Sequence, residues 1–183
     1  ERGASTLGGQ NIWYDDDVRR LNADGRGQLL GEFKGDDKIV VWTSKNQYYI
    51  TGYDLQQHFP DDTIRVERYR EDRIYALCYY DGEQEYYYLK RFQLEKGDKT
   101  QYFLDEGAPM RFVAITDRAG AKLAVEFGGQ HEQRPLELID VDEFIGLKSH
   151  RAKGKRITTY EVAKLTFIEP EEPELEEDVE AGL

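Results

Sequence analysis

The chain has 183 residues and a formal charge of -12, with 34% charged, 39% hydrophobic and 13% aromatic residues. That length supports a domain with a real core, and no apolar run approaches the roughly 18 to 20 residues of a membrane span or the pattern of a signal peptide. The single cysteine, Cys78, excludes an internal disulfide and suits a reducing cytoplasm.

Taken in chain order, aromatic and β-branched bursts alternate with polar turns. ERGASTLGGQ (1–10) is small and reads as a linker. NIWY (11–14) and VRRLN (18–22) read as a first hairpin, KIVVWT (38–43) and YYIT (48–51) as a second. YDLQQHF (53–59) could make one short turn of helix before Pro60. IYALCYY (74–80) and EYYYLKRF (85–92) form a third hairpin, with Asp81-Gly82 supplying the positive φ of a tight turn, and RFVAIT (111–116) and AKLAVEF (121–127) a fourth. The turn centres Asp16, Asn46, Gly82 and Gly120 recur at 30, 36 and 38 residues, which predicts tandem β units. A lone hairpin cannot bury its apolar face, so the expected fold is all-β, built of propeller-like blades that stack on one another.

Charge is segregated along this chain. Residues 169–183 hold eight acids and no base and read as a disordered acidic tail, whereas 144–168 hold six bases and one acid. The bases concentrate in LKSHRAKGKRI (147–157), where Gly154 splits the run into two arms on a loop that feeds a strand. Clustered Lys and Arg with little local order suit backbone phosphates, and nothing in the run reads base edges.

Other chemistry finds little support. His58, His131 and His150 lie far apart and lack partners at metal-ligand spacing. The clusters Asp15-Asp16-Asp17, Asp36-Asp37 and Asp61-Asp62 fall at turns, where Asp is favoured for its local hydrogen bonds over a cation role. There is no GxSxG and no Gly-rich phosphate loop, and Cys78 has no base beside it. In YYYLKRF (86–92) strand alternation sends half the side chains into a core, leaving Lys90 and Arg91 for the surface.

The blocks IWYDDDVRRLNADGRGQLLGEFKGDDKIVVWTSKNQYYITGYDLQQHF, YYYLKRFQLE and VDEFIGLKSHRAKGKRITTYEV resemble the C-terminal region of the DNA-cleaving A protein of bacterial topoisomerase IV, a type IIA topoisomerase, and a relative of the gyrase A protein, over residues 1–168. The resemblance implies a β-pinwheel of antiparallel four-stranded blades, here a partial disc, that binds and bends duplex DNA on a basic rim. It places residues 1–168 in this DNA-binding region and leaves 169–183 outside it. It also implies no catalysis and no cofactor or metal in this piece, since the nucleophilic tyrosine belongs to another domain of the topoisomerase A protein and ATP is hydrolysed by its B partner. Met110 is the single methionine, so the chain reads as an excised part of a longer one. On this reading Lys148, Arg151, Lys153, Lys155 and Arg156 contact phosphates, and Arg26, Lys90 and Arg91 extend the rim. Ala152-Lys153-Gly154-Lys155-Arg156 is only a loose match to the gyrase-type basic box, and ADGRG (23–27), which carries Arg26, is a weaker echo of it. The expected partners are duplex DNA and the rest of the topoisomerase A and B proteins, in a bacterial cytoplasm at the nucleoid, guiding the transported duplex. The alternative from another class is a propeller-like protein-interaction module whose acidic tail binds a basic partner.

Overall fold

The computed structural model describes residues 9–171. Their regular secondary structure is almost wholly strand, arranged in four sheets, and the chain divides into two compact units.

The first unit comprises the described residues up to Arg73 together with Gln93–Phe112 and Ser149–Ala152. Strands β1 (Gln10–Asp15), β2 (Arg20–Asn22) and β3 (Gln28–Phe33) form a three-stranded antiparallel sheet in the order β2-β1-β3. Strands β4 (Lys38–Thr43), β5 (Gln47–Gly52), β6 (Thr63–Arg68) and β9 (Gln101–Tyr102) form a second, in the order β6-β4-β5-β9. Both expected hairpins are present, with Tyr14 opposite Leu21 and Val41 opposite Tyr49. The residue at the second turn, Asn46, takes φ 63°, a conformation asparagine tolerates better than most. Ile12, Tyr14, Leu21, Phe33, Ile39, Val41, Phe59 and Val66 close the core of this unit. Trp42, Tyr48 and Phe103 pack beside one another as rings 5.3–5.6 Å apart. YDLQQHF makes no helix: Asp54 Oδ1 accepts from Gln56 N in an Asx turn that competes with helical bonding, Gln57 N donates to the Asp54 backbone O in a single turn, and His58 forms a β-bridge with Arg20.

The second unit comprises Ile74–Phe92, Val113–Lys148 and the described residues from Lys153 on. Here β7 (Ile74–Asp81) and β8 (Tyr86–Gln93) are flanked by β10 (Met110–Thr116) and β13 (Leu147–Ser149), in the order β10-β7-β8-β13, and β14 (Lys155–Arg156) also pairs β8. β11 (Lys122–Phe127), β12 (Glu137–Asp140) and β15 (Val162–Ile168) make the other sheet, in the order β12-β11-β15. A single helical turn, α1 (Val141–Phe144), is capped by Asp140, whose carboxylate accepts from Glu143 N. Ala76, Cys78, Leu89, Leu123, Val125, Ile139, Val141 and Leu165 form the core of this unit.

Three expectations change. The β7–β8 hairpin exists, but its positive φ falls on Glu85 rather than Gly82: Asp81 accepts from Glu83 N and Gln84 N, and Glu85 N donates to Asp81 O, so side-chain bonding shapes the turn. The fourth hairpin does not form. β10 belongs to the β7 sheet, while both edges of β11 are taken by β12 and β15. The chain turns a corner instead, with Thr116 buried and its hydroxyl accepting from Arg118 N. The sheets hold three, four, five and three strands rather than four each.

Contacts continue just past β15. Glu169 is hydrogen-bonded to Thr116, and Pro170 O accepts from Arg118 at 3.1 Å, so the docked chain continues past β15. The expected acidic tail otherwise lies, from Glu172 on, outside the described residues.

Candidate nucleic-acid interface

Two short strands of the basic run, β13 and β14, lie on one edge of the β7–β8 sheet. β14 pairs β8 with Lys155 opposite Leu89 and Arg156 opposite Tyr88, and β13 lies along the same edge strand. Gly154 sets this docking. A Cβ there would stand 2.8 Å from Leu89 O and 3.1 Å from the Tyr79 ring, while Gly154 N donates to Tyr79 Oη at 2.9 Å. The glycine is thus required by close backbone approach.

Successive strand residues face opposite ways, so the two cations of β14 separate. Lys155 lies over the Phe144 ring at 4.2 Å and donates to Phe144 O at 3.2 Å. Arg156 lies over Tyr86 at 4.7 Å. Both remain exposed, as do Lys148 on β13 and Lys153 before β14. The edge therefore presents four cations of the second unit to solvent, two of them held in place by rings and by a carbonyl.

The remaining predicted residues are placed differently. Lys90 is 4% exposed, with its ammonium 5.2 Å from the Phe92 ring and 6.0 Å from that of Tyr79. It cannot extend a rim, because β8 is covered on both faces and burial removes the ammonium from any phosphate. Arg91 is largely enclosed as well: it donates to Ile145 O at 3.1 Å and sits 3.5 Å from Asp142, bracing the loop after α1. Arg151 belongs to the first unit, where it is 70% exposed, donates to Gln101 Oε1 at 3.2 Å and lies 3.8 Å from Glu95. Arg26 is also in the first unit, exposed and paired with Asp24 at 3.1 Å. Its loop is shaped by buried Asn22, which accepts from Asp24 N and Arg26 N and donates to Arg26 O. Gly27 closes that loop at φ 90°, where a Cβ would fall 2.1 Å from Tyr14 O.

His150, inside the basic run, is a structural anchor. It is 3% exposed, packs edge-on against Tyr48, and places Nδ1 3.1 Å from Tyr102 O and Nε2 2.9 Å from Glu95 Oε2. The hydrogen bond from His150, aided by nearby Arg151, holds the Glu95 carboxyl below its usual range. A depressed carboxylate contributes stability above the ordinary carboxylate range and loses it as pH falls through its folded value. Glu95 is therefore expected to titrate below ordinary glutamates in a carboxyl-detected NMR titration, and His150→Ala to return it to the normal range.

Among the described residues no group of three or more His, Cys, Asp or Glu side chains is placed to hold a metal ion. Several of the acids are used in turns: Asp15 accepts from Asp17 N, and Asp37 from Lys34 N and Arg68. Burial pushes the Cys78 thiol up, away from nucleophilic use.

The described residues thus form an all-β module of four sheets that carries a basic sheet edge. A family model described as the topoisomerase C-terminal domain of Bacteroidota matches residues 20–169, and the chain belongs to that family. Among solved structures, the C-terminal domain of E. coli ParC is similar at 10% identity and a TM-score of 0.48, over 88% of this chain and 82% of that one. No curated protein sequence matches. Among the described residues no helix is long and apolar enough to cross a membrane.

Proposed function

We propose that this topoisomerase C-terminal domain is a non-catalytic binder of duplex DNA that contacts the phosphate backbone without reading bases and guides the transported duplex during strand passage. In its parent enzyme it would act beside the remainder of the topoisomerase A protein and the ATP-hydrolysing B protein. The observation that carries this reading is the β13–β14 edge, where Lys148, Lys153, Lys155 and Arg156 stand exposed along one strand border in a chain whose formal charge is -12. A net repulsion from DNA makes a local cluster of this kind the natural contact. Membership of the family supports the same reading. Arg151 and Arg26 add exposed cations in the first unit.

Changing Lys153, Lys155 and Arg156 together to Ala is expected to weaken duplex binding about 30-fold at low salt and to make the log-log salt slope shallower by about 3. Fluorescence anisotropy across a salt series reads both quantities. Unchanged affinity and slope would mean that the edge is a solvated border and would favour a protein-interaction module instead.

A further inference from the structure

Three exposed cations of the second unit are each seated on an aromatic ring of another segment: Lys155 on Phe144, Arg156 on Tyr86, and Arg134 on Tyr160. The first two belong to the basic edge. Arg134 does not, and no motif in the sequence points to it. We propose that Arg134 is a further phosphate-contact residue of the DNA surface and that Tyr160 is the residue that positions it; this inference rests on the duplex-binding reading above.

The seat is well defined. The Arg134 guanidinium carbon lies 3.6 Å from the centre of the Tyr160 ring and 4.9 Å from that of Phe127. Tyr160 is itself wedged edge-on against Phe127 at 6.0 Å and against His131 at 5.0 Å. The backbone ties both partners to one turn: Arg134 N donates to His131 O, Gly128 N donates to Glu161 O, and Glu161 N donates to His131 Nδ1. Tyr160 and Arg134 are therefore fixed to one another through His131 rather than meeting as two free surface side chains.

A guanidinium binds a ring through its face and anions through its edge. With the face on Tyr160, the edge donors remain available in a fixed plane, and the rotamer entropy of a long side chain has already been lost. Among the described residues no carboxylate is paired with Arg134, in contrast to Arg65, Arg68 and Arg73, which hold Glu67 or Asp37. Such a group is suited to a phosphate oxygen.

The chain also supplies proximity to the basic edge. Tyr160 follows Arg156 by four residues, so their Cα atoms are at most about 14 Å apart. One duplex turn extends about 34 Å. A duplex lying on β14 thus has phosphates within the span that reaches the Tyr160 seat, which favours DNA over a separate acidic protein as the occupant.

The test is anisotropy of the whole chain with a short duplex over a salt series, with thermal melts as a fold control. Arg134→Ala is expected to weaken binding about fivefold at low salt and to make the salt slope shallower by about 1, the signature of one phosphate contact. Arg134→Lys should keep the slope and still lose affinity, since an ammonium cannot stack flat. Tyr160→Leu should lose affinity with every charge retained, while Tyr160→Phe should match the parent. If Arg134→Ala keeps parental affinity and slope while the triple change at Lys153, Lys155 and Arg156 weakens binding, the inference fails and the duplex reading stands. If the triple change has no effect, the duplex reading itself fails. Loss with Arg134→Ala but none with Tyr160→Leu would overturn the positioning role.

Discussion

Replacing Glu67 with Ala is expected to lower the unfolding free energy by about 3 kcal/mol or more, read as a fall in the urea midpoint at unchanged slope. Glu67 lies on β6 with a side chain only 9% exposed, and both carboxylate oxygens are in use. Oε2 accepts from the buried Trp42 indole at 2.6 Å and from Arg65 Nε at 3.1 Å; Oε1 accepts from Arg73 at 2.6 Å and Arg65 at 3.3 Å. The carboxylate thus ties β6 to β4, through an indole whose N–H is in the interior, and to the chain leaving β6. A buried indole N–H and two partly enclosed guanidinium groups lose their shared acceptor on truncation, and the desolvation already incurred is no longer offset. Glu67→Gln separates charge from shape. Its carbonyl can still accept on one side, but its NH2 meets donors on the other, so about half of the loss should remain. A loss below about 1 kcal/mol for Glu67→Ala would show that water replaces the carboxylate at little cost.

How far such features are legible depends on whether their cause is local. The first two hairpins follow from alternation and turn chemistry that lie within a dozen residues, and the structure has them where the sequence puts them. The third is legible as a hairpin but not in its turn, because Asp81 bonding two backbone N–H groups outweighs the flexibility of Gly82. The fourth fails for a different reason. RFVAIT, DRAG and AKLAVEF look like any hairpin, yet the strands that claim the edges of β11 come from residues 137–140 and 162–168, far along the chain. Lys90 shows the same limit at the level of one side chain. Alternation assigns it a face, but only the tertiary fold decides that this face is covered as well. Glu67 stands between two arginines in TIRVER and gives no signal of burial, because a charged residue in an alternating strand ordinarily faces water. The basic run, in contrast, is visible from charge alone, although its division between the two faces of β14 and the seating of Arg156 on Tyr86 are not.

The second large expectation concerns Gly154, and it separates the arrangement of the basic edge from its charge. Gly154→Val adds a branched side chain where even a Cβ would meet Leu89 O at 2.8 Å and the Tyr79 ring at 3.1 Å, and both neighbours are held by strand pairing and by ring stacking of Tyr79 on Tyr88. The backbone has to move away from β8, which breaks the bond from Gly154 N to Tyr79 Oη and disturbs the register of Lys155 with Leu89 and Arg156 with Tyr88. Lys155 then loses Phe144, and Arg156 loses Tyr86. The formal charge is untouched. If the edge binds phosphates as an ordered array, the variant should bind duplex about tenfold more weakly, with nearly the parental salt slope, because the same number of counterions is released while the ordering of the segment must now be supplied on binding. The cost to stability should stay near about 2 kcal/mol, since the strain is confined to an edge strand. Tyr79→Phe is the milder comparison: it removes the hydroxyl that accepts from Gly154 N, costs about 1 kcal/mol, and leaves the glycine's close approach intact, so its affinity should fall far less. Should Gly154→Val bind as tightly as the parent, clustered charge alone would suffice, and the docking of β14 on β8 would serve the fold instead of recognition.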